Sequence, residues 1–302
     1  MSRRGPLRSL LFVPGDSERK QTKALTSGAD ALILDLEDSV APAQLPAARA
    51  QVRQFLSAQS GASAERWVRV NGPASGLLPD DVAAVIAGRP DGFVLPKVSS
   101  VSEVAHASKQ LSELEVKAGI EVGSTRLIVI ATETPPALLR LSEYAAGTPG
   151  LERLMALTWG MEDLSAALGA SVKTQADGSL TPVFELARSL CLVAAAAAGV
   201  QAIDGVHADF RDAAGLSREA ARARGDGFTA KLAIHPDQVP VINAAFSPTA
   251  EEVVRAKRVV AAFAASPGTG VTSLDGQMLD RPHLVLAQRI LELSRRLGND
   301  KP

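Results

Sequence analysis

Eight short apolar segments, separated by helix-like segments, recur along the first 236 residues and constrain the fold more than any other feature. They are the segments 7–14, 29–37, 66–72, 92–98, 126–134, 154–163, 202–210 and 229–236. Most are continuously apolar rather than alternating, which is typical of parallel strands buried on both faces. A doubly wound open sheet would begin with the same alternation, but the count of eight favours an α/β fold of the (β/α)8 TIM-barrel type.

The segments between the predicted strands carry signals for helix ends. Ser100 and Glu103 have the spacing of a capping box, and Thr181-Pro182 is a favourable helix start. The helix that begins there is expected to end at Gly199. These signals support helical crossovers between parallel strands.

The chain continues well past the eighth predicted strand. A helix over 237–245 would complete the barrel, and Thr249 with Glu252 predicts the start of a further helix. A stretch rich in Gly, Pro and Ser then precedes a final helix. We therefore predict a catalytic barrel domain over 1–246 and a C-terminal helical extension over 247–302, which would act as a lid or as an inter-subunit element.

Composition and charge exclude several classes of function. The chain has 46% hydrophobic and 22% charged residues, which is ordinary for a globular enzyme. A formal net charge of -1 gives no field that would attract nucleic acid or an anionic membrane. The N-terminal apolar run is too short for a secretion signal, no segment is long enough for a membrane span, and the single Cys191 cannot form an intramolecular disulfide. We expect a cytoplasmic protein without nucleic-acid or membrane partners.

Polar residues gather at the C-terminal ends of the predicted strands, where the active sites of α/β barrels lie. They are Asp35, Glu37, Asp38, Arg69, Asn71, Lys97, Glu133, Glu162, Asp163, His207, Asp209 and His235. Any one acid at a strand end is more often a helix cap or a surface charge. So many acids with few bases would repel one another, and a bound cation would relieve that repulsion.

The predicted ligands indicate which cation this would be. They offer oxygen rather than cysteine sulfur or a histidine pair, which favours Mg²⁺, or Mn²⁺, over Zn²⁺. Mg²⁺ keeps bound water and typically takes one or two protein carboxylates, a role that Glu133 and Asp163 fit. Asp35, Glu37 and Asp38 would then accept hydrogen bonds from metal-bound waters or act as acid-base groups.

Two basic residues allow more than one interpretation. Arg69 ends a predicted strand, so that its fork of donors is aimed at a substrate carboxylate or a developing enolate oxygen, or pairs with Asp35, Glu37 or Asp38. Lys97 raises the alternative of a Schiff-base aldolase. The neighbouring acids should raise the pKa of Lys97, which argues against a free amine.

Nine motifs in order resemble a known family. They span about residues 8–287 and are, in chain order, RSLLFVPGD, ALILDLEDSV, VRVNG, VLPKV, TETP, GMEDL, AIDGV followed by DFRD, GF followed by K and IHP, and GQMLDRP. The chain is similar to the citrate lyase β-subunit-like proteins of the HpcH/HpaI aldolase superfamily. One departure is visible, because Thr132 stands before the acidic residue of TETP where the family often has isoleucine.

The resemblance implies a (β/α)8 barrel, assembled as a homotrimer or a multiple of three, that uses Mg²⁺ to cleave or form a C–C bond. A 3-hydroxy-3-carboxyacyl thioester of the citramalyl-CoA, malyl-CoA or citryl type would yield a 2-oxo acid and acetyl-thioester. One alternative is a citrate lyase β-subunit acting on a citryl group held by an acyl carrier protein. Another is a metal-dependent aldolase acting on free hydroxy-oxo acids, and a third is a non-enzymatic binding subunit.

The resemblance also implies roles for individual residues. Glu133 and Asp163 would bind the metal, and Glu133 would thereby hold the substrate. Arg69 would bind substrate and stabilise the thioester enolate. Glu37 and Asp38 match acids that contact metal-bound water. Glu37 would thereby contribute to substrate binding, and Asp38 would assist deprotonation of the substrate hydroxyl.

A further catalytic residue is implied outside the barrel. In relatives that act on CoA thioesters, the aspartate of the motif G-x-M-x-D-x-P closes the active site, often that of a neighbouring subunit. Here that residue is Asp280, which would exchange a proton with the enolate carbon. Its presence in GQMLDRP inclines the prediction towards the CoA enzymes.

Overall fold

The computed structural model describes residues 7–59, 61, 63–266 and 268–298. Residues 1–6 of the predicted barrel domain and residues 299–302 of the predicted extension lie outside the described residues. The described chain divides into two compact units, one over 7–243 and the other from residue 244 onward.

The first unit is a closed barrel of eight parallel strands in sequence order, in which β8 pairs with β1. The strands are β1 (Ser9–Pro14), β2 (Ala31–Asp35), β3 (Glu65–Arg69), β4 (Gly92–Leu95), β5 (Arg126–Ile130), β6 (Leu154–Thr158), β7 (Gln201–Asp204) and β8 (Ala230–Ala233). All eight predicted strands are present, so the predicted barrel is confirmed.

Helices connect the strands and continue into the second unit. They are α1 (Glu18–Ala24), α2 (Leu45–Ala58), α3 (Leu78–Val85), α4 (Val101–Lys117), α5 (Pro135–Leu139), α6 (Met161–Leu168), α7 (Pro182–Ala198), α8 (Ala213–Asp226), α9 (Gln238–Ala245), α10 (Ala250–Ala264) and α11 (Arg281–Arg296). The predicted helix from Thr181-Pro182 to Gly199 is confirmed as α7. Among the helices of the described ranges, none combines the length and the apolar character that crossing a bilayer requires.

Large side chains fill the inside of the barrel. Trp67 is fully buried, and its indole Nε1 donates a hydrogen bond of 3.0 Å to Glu65 Oε2. A Cβ at Gly92 would lie 2.2 Å from the indole ring, so the neighbouring strand passes Trp67 only because this residue is glycine. Since Ile33, Ile128 and other apolar residues occupy the remaining interior, the barrel is a packed core rather than a pore.

Loop geometry corrects one of the predicted helix starts. Ser100 lies at the N-terminus of α4, but its side chain makes no capping hydrogen bond there. The carboxylate of Glu103 instead accepts a 2.8 Å hydrogen bond from the backbone N–H of Ser99. The predicted capping box is therefore wrong in detail, because the acidic side chain reaches one residue further back.

The second unit contains α10, α11 and a β-hairpin. The capping box of Thr249 and Glu252 is confirmed, with both of its hydrogen bonds formed. Between α10 and α11, the stretch rich in Gly, Pro and Ser forms two antiparallel strands that the sequence analysis did not predict, β9 (Val271–Leu274) and β10 (Gln277–Asp280). The dipeptide Asp275-Gly276 has φ values of 51° and 77°, which match the two-residue hairpin turn that Asp-Gly favours.

Candidate active site

The C-terminal ends of the barrel strands surround a pocket of about 430 Å³. Its lining includes charged groups, among them Asp35, Asp38, Arg69, Glu133 and Asp163. The lining also includes a larger set of apolar residues, which are Phe12, Val13, Ile130, Trp159, Met161, Val206, Leu232 and Ile234. The pocket can therefore hold a small molecule with a polar end and an aliphatic end.

Arg69 is held in place by two strands. Its Nε and Nη2 donate hydrogen bonds of 2.6 and 2.7 Å to the two oxygens of Asp35, the last residue of β2. The guanidinium carbon also lies 4.8 Å from the centre of the Phe12 ring. Burial raises the pKa of Asp35, but the hydrogen bond and charge of Arg69 outweigh this and hold the pKa below its usual range. The predicted ion pair is present, and it fixes the direction of the remaining guanidinium donors.

Lys97 lies among the carboxylates that follow β2. Its Nζ is 2.5 Å from Glu37 Oε1, 2.9 Å from Asp38 Oδ1 and 3.4 Å from Asp163 Oδ1. Desolvation lowers the pKa of the ammonium, but the contacts with Glu37 and Asp38 raise it overall. A protonated amine is a poor nucleophile, which argues against the Schiff-base alternative.

Glu37 has contacts with two cations and yet retains a high proton affinity. Its Oε2 lies 3.0 Å from Arg69 Nη1, and its Oε1 binds Lys97. Burial raises the pKa of Glu37 to about 7, against the opposing effects of both cations. Since a group with a pKa near 7 exchanges protons readily at neutral pH, Glu37 is suited to acid-base chemistry.

Glu133 is the most deeply buried of the predicted metal ligands, with 4% of its surface exposed. Its Oε2 accepts a hydrogen bond of 2.5 Å from the backbone N–H of Lys97, whose φ of 52° turns this N–H towards the pocket. Burial raises the pKa of Glu133 to about 8, and the charges of Asp163 and Glu37 add to the shift. The hydrogen bond from Lys97 N–H and the charge of Arg69 lower the pKa of Glu133 but do not compensate for its desolvation.

Gly160 makes room for the Glu133 carboxyl. A Cβ at this position would lie 2.6 Å from Glu133 Cγ and 3.0 Å from its Oε1. The backbone N–H of Gly160 donates a 3.2 Å hydrogen bond to the hydroxyl of Thr132, which is fully buried. Thr132, the departure noted in the sequence, therefore anchors the turn that packs against Glu133 and leads into the first turn of α6.

Asp163 lies in that first turn, with 33% of its side chain exposed. Asp35, Glu37 and Asp38 form ion pairs with Arg69 or Lys97. Among the described residues, Glu133 forms no ion pair, and Asp163 lies 3.4 Å from Lys97 Nζ.

The described residues contain no group of three or more His, Cys, Asp or Glu side chains placed to hold a metal ion. Two oxygen ligands at an open pocket nevertheless fit Mg²⁺, which binds one or two carboxylates and keeps water or substrate at its other positions. The elevated pKa of Glu133 supports this fit, because an added cation would compensate the buried charge.

The structure places the predicted residues in two groups. Five of them lie together at the barrel mouth, as the sequence predicts, and these are Glu37, Asp38, Arg69, Glu133 and Asp163. Asp280 belongs to the second unit, where it precedes α11 and its Oδ1 lies 2.5 Å from His283 Nδ1. Its catalytic role stays a prediction.

Two polar residues that follow β7 were expected at the active site but make contacts elsewhere. His207 Nδ1 lies 2.7 Å from Glu219 Oε2, and Asp209 accepts a hydrogen bond from the backbone of Arg211. Neither His207 nor Asp209 lines the pocket that contains Glu133.

Sequence reasoning missed a buried polar network behind β7 and β8. Lys231 Nζ, with no exposed surface, lies 2.8 Å from Asp204 Oδ2 and 2.5 Å from Glu219 Oε1. Asp204 also accepts hydrogen bonds from Trp159 Nε1 and Arg188 Nε. Because Trp159 lines the pocket, this network fixes part of its apolar wall. A lysine inside the apolar segment 229–236 is a signal that a buried carboxylate must lie nearby.

Comparison with known proteins agrees with this geometry. The family model for HpcH/HpaI aldolase/citrate lyase matches residues 8–236, which is most of the chain. The chain belongs to this family. The resemblance inferred from the nine motifs is therefore confirmed.

Individual relatives cover nearly the whole chain. The citrate lyase subunit beta of Escherichia coli K12 is 36% identical over 293 residues, 96% of this chain and 94% of that protein. A (3S)-malyl-CoA thioesterase of Cereibacter sphaeroides is 34% identical, with 95% and 94% covered. The mitochondrial citramalyl-CoA lyase of Rattus norvegicus is 34% identical, with 96% and 86% covered.

A solved structure of similar fold has ligands bound. It is the protein CitE of Mycobacterium tuberculosis in complex with magnesium, acetoacetate and coenzyme A. The two chains share 34% identity and a TM-score of 0.75, and the match covers 98% of this chain and 99% of that one. This similarity independently supports the barrel fold.

Proposed function

We propose that this HpcH/HpaI aldolase/citrate lyase family member is a Mg²⁺-dependent carbon–carbon lyase. Its substrate would be a 3-hydroxy-3-carboxyacyl thioester, cleaved to a 2-oxo acid and an acetyl-thioester. The observation that carries the proposal is the placement of Glu133 and Asp163 beside Arg69 in one pocket with an apolar wall. The chemistry of the relatives, and the magnesium, acetoacetate and coenzyme A bound to the related CitE, support the same reaction class.

Glu133 and Asp163 would hold the ion through carboxylate oxygens. Bound Mg²⁺ would supply positive charge to the carboxylate and hydroxyl oxygens of the substrate. The thioester end of the acyl group would then extend over the apolar wall of the pocket.

Acid-base residues close to the predicted metal ligands would start the cleavage. Asp38 lines the pocket and would accept the proton of the substrate hydroxyl. Lys97 contacts both Asp38 and Glu37 and would hold the two carboxyl groups in place. Glu37, whose pKa is raised to about 7, would be a second group able to hold that proton. As the hydroxyl becomes the carbonyl of the 2-oxo acid, the C–C bond breaks and its electron pair moves into the thioester enolate.

Arg69 would stabilise the enolate oxygen. Its Nε and Nη2 are engaged by Asp35, so its remaining donors act from a fixed direction without reorganising during the reaction. Asp280 would give the enolate carbon its proton, which completes the acetyl-thioester, or would remove that proton in the condensation direction.

The activity is tested with purified protein, Mg²⁺, and (S)-citramalyl-CoA, L-malyl-CoA or citryl-CoA. The proposal expects release of a 2-oxo acid together with acetyl-CoA, loss of turnover in EDTA, and loss of turnover in Glu133→Ala. Release of the free hydroxy acid and CoA would show thioester hydrolysis instead. Pyruvate release from a free hydroxy-oxo acid, without a thioester, would show an aldolase.

The position of Asp280 is tested by mixing two inactive variants. If Asp280 completes the site of a neighbouring subunit in a homotrimer, co-expressed Glu133→Ala and Asp280→Asn chains should form some sites that carry both wild-type residues. Activity well above that of either variant alone is then expected. Activity that stays at the level of the single variants would contradict a shared site, and sedimentation of the wild-type protein would report the number of subunits.

A further inference from the structure

Trp159 contributes the largest side chain to the lining of the active-site pocket, and its indole is held in one orientation. The residue follows the end of β6 and is 5% exposed. Its Nε1 donates a hydrogen bond of 2.8 Å to Oδ1 of Asp204, which has no exposed surface. Rotation of the ring would break a buried hydrogen bond to a charged acceptor, so the indole is a rigid part of the pocket wall.

Lys231 fixes the surroundings of this indole. Its fully buried Nζ donates hydrogen bonds of 2.8 Å to Asp204 Oδ2 and to the backbone carbonyl of Gly205. A Cβ at Gly205 would lie 3.1 Å from Cε2 and 3.2 Å from Nε1 of Trp159, so the ring packs directly on the backbone there. One buried ammonium therefore holds both the acceptor of the indole N–H and the backbone against which the ring packs.

Trp159 is also next to the predicted metal ligands. Gly160, the following residue, is so close to Glu133 that a Cβ would lie 3.0 Å from Glu133 Oε1. Asp163 comes shortly afterwards, in the first turn of α6. The indole therefore adjoins the carboxylates that would hold the metal and, through it, the oxygens of the substrate.

The substrate carbon that becomes the oxo carbon carries four groups, which point in different directions. In the proposed reaction its carboxylate and hydroxyl lie beside Glu133 and Asp163. The thioester arm points towards Arg69, at the end of β3. Because β7 lies opposite β3 in the closed barrel, the fourth group is left to the wall formed by Trp159 and by Val206, which follows β7.

This part of the wall offers an apolar surface and no cation. Val206 and Leu232 continue the apolar lining around the indole. Among the described residues that line the pocket, Arg69 is the only basic one, and its donors already contact Asp35 at 2.6 Å and Glu37 at 3.0 Å. A carboxylate on the fourth group would lose hydration here without gaining a positive partner.

We propose that Trp159 is a specificity-determining residue that selects substrates whose 2-oxo acid product has a short apolar side chain. Asp204 and Lys231 act as positioning residues for its indole. The inference rests on the proposed function, since the substrate carboxylate and hydroxyl must lie beside Glu133 and Asp163. A short group can lie against the fixed ring, whereas a longer alkyl chain meets the ring and a carboxymethyl group finds no cation.

Binding of 2-oxo acids in the presence of Mg²⁺ provides the direct test, because it requires neither a thioester nor turnover. Calorimetric titration compares pyruvate with 2-oxopentanoate, whose side chain is longer by two methylene groups. The wild-type protein should prefer pyruvate by about 10-fold or more, and Trp159→Phe should reduce this ratio by about 10-fold, since each misfitted methylene in an apolar pocket has an effect of about this size. A ratio that is the same in both proteins would overturn the proposal.

Oxaloacetate separates the effect of charge from that of size. Trp159→Phe enlarges the space beside the metal ligands but adds no cation. It should therefore strengthen binding of 2-oxopentanoate and leave binding of oxaloacetate weak. Tighter binding of oxaloacetate than of pyruvate by the wild-type protein would also overturn the proposal.

Trp67→Phe is a matched control for the loss of an indole. Trp67 is fully buried and donates a hydrogen bond of 3.0 Å to Glu65, but it does not line the pocket. This variant should be less stable in urea unfolding, while its ratio of pyruvate to 2-oxopentanoate affinity stays within about 2-fold of the wild-type value, because the two sites are independent. An equal change of the ratio in both tryptophan variants would show a general loosening of the barrel and overturn the assignment to Trp159.

Two double variants test the positioning residues. Both carry Lys231→Met, so that no unpaired ammonium is buried, and they differ in having Asp204→Asn or Asp204→Leu. Asparagine keeps an oxygen that can accept the indole N–H, and leucine does not. The asparagine variant should keep the wild-type selectivity between pyruvate and 2-oxopentanoate, and the leucine variant should lose it.

A purely structural role would lower the stability of both double variants without separating their selectivity. Equal selectivity in the two folded proteins, with folding checked by urea unfolding, would overturn the positioning role. If the leucine variant does not fold, the Trp159→Phe titrations decide the proposal.

Failure of the proposed reaction would not be confused with failure of this inference. A protein that selects 2-oxo acids through Trp159 but cleaves none of the three thioesters supports the specificity assignment and contradicts the lyase assignment. A protein that cleaves a thioester, but whose selectivity does not respond to Trp159→Phe, supports the lyase assignment and contradicts this inference.

Discussion

Glu133→Gln should weaken the destabilising effect of alkaline pH on the metal-free protein. Glu133 is almost completely buried, and burial raises its pKa from 4.5 to about 8. Glutamine has nearly the same shape and can still accept the hydrogen bond from the Lys97 N–H. The substitution therefore removes the ionisation and leaves the packing in place.

The magnitude follows from the difference between the folded and unfolded states. Between pH 4.5 and 8 the folded chain keeps a proton on Glu133 that the unfolded chain has released, so stability decreases as pH rises. The decrease from this one group approaches about 1.4 kcal/mol per pH step, or about 3 kcal/mol in total from about pH 5 to about pH 8. Glu133→Gln should lack this contribution and have a flatter profile.

Tryptophan fluorescence during urea unfolding is a suitable assay, because both tryptophans, Trp67 and Trp159, lie in the barrel unit. Unfolding is measured in EDTA at several values from about pH 5 to about pH 8. Glu162→Gln is a matched control that lines the same pocket, since the side chain of Glu162 is 55% exposed and pairs with Lys173. The control should keep the steep wild-type profile.

Adding Mg²⁺ should invert the comparison. At about 100 times its dissociation constant, a ligand that binds only the folded state adds about 2.7 kcal/mol, and this gain should occur in the wild-type protein and not in Glu133→Gln. Affinity for Mg²⁺ should rise with pH, because the ion must displace the proton of Glu133. Parallel wild-type and Glu133→Gln profiles in EDTA would refute the reasoning.

Three further substitutions test other parts of the site. Gly160→Ala places a methyl group 2.6 Å from Glu133 Cγ, and should cost about 1–3 kcal/mol of stability in urea unfolding and weaken Mg²⁺ binding in calorimetry. Arg69→Lys loses the bidentate fork, and should lower kcat by about 100-fold or more while stabilisation by Mg²⁺ persists. Lys231→Met leaves Asp204 buried without its ammonium partner, and should cost about 3–5 kcal/mol in urea unfolding. Adding Asp204→Asn to that variant should recover part of the loss.

The hairpin of the second unit was within reach of sequence reasoning but was not predicted. Asp275-Gly276 is a strong local signal for a two-residue turn, and short segments with β-branched or apolar residues lie on both sides of it. The strands are only four residues long, so hydrophobic periodicity gave little help.

Sequence alone determined the barrel and the location of its chemistry. Eight buried parallel strands leave few ways to close a sheet, and polar residues at their C-terminal ends must then meet at one rim. The motifs also determined the family, which the comparisons confirm. These conclusions depend on order and spacing along the chain, which a sequence contains in full.

Only the tertiary structure decided which of the charged residues form ion pairs with one another. It pairs Asp35, Glu37 and Asp38 with Arg69 and Lys97, and within the part of the chain that the structure describes the buried Glu133 forms no ion pair. It also shows that the Thr132 hydroxyl binds the turn beside Glu133. Burial and distances of about 2.5–4 Å set pKa values and ion pairs, and neighbours in sequence do not specify them. Tertiary structure likewise places the indole of Trp159 against the buried Asp204.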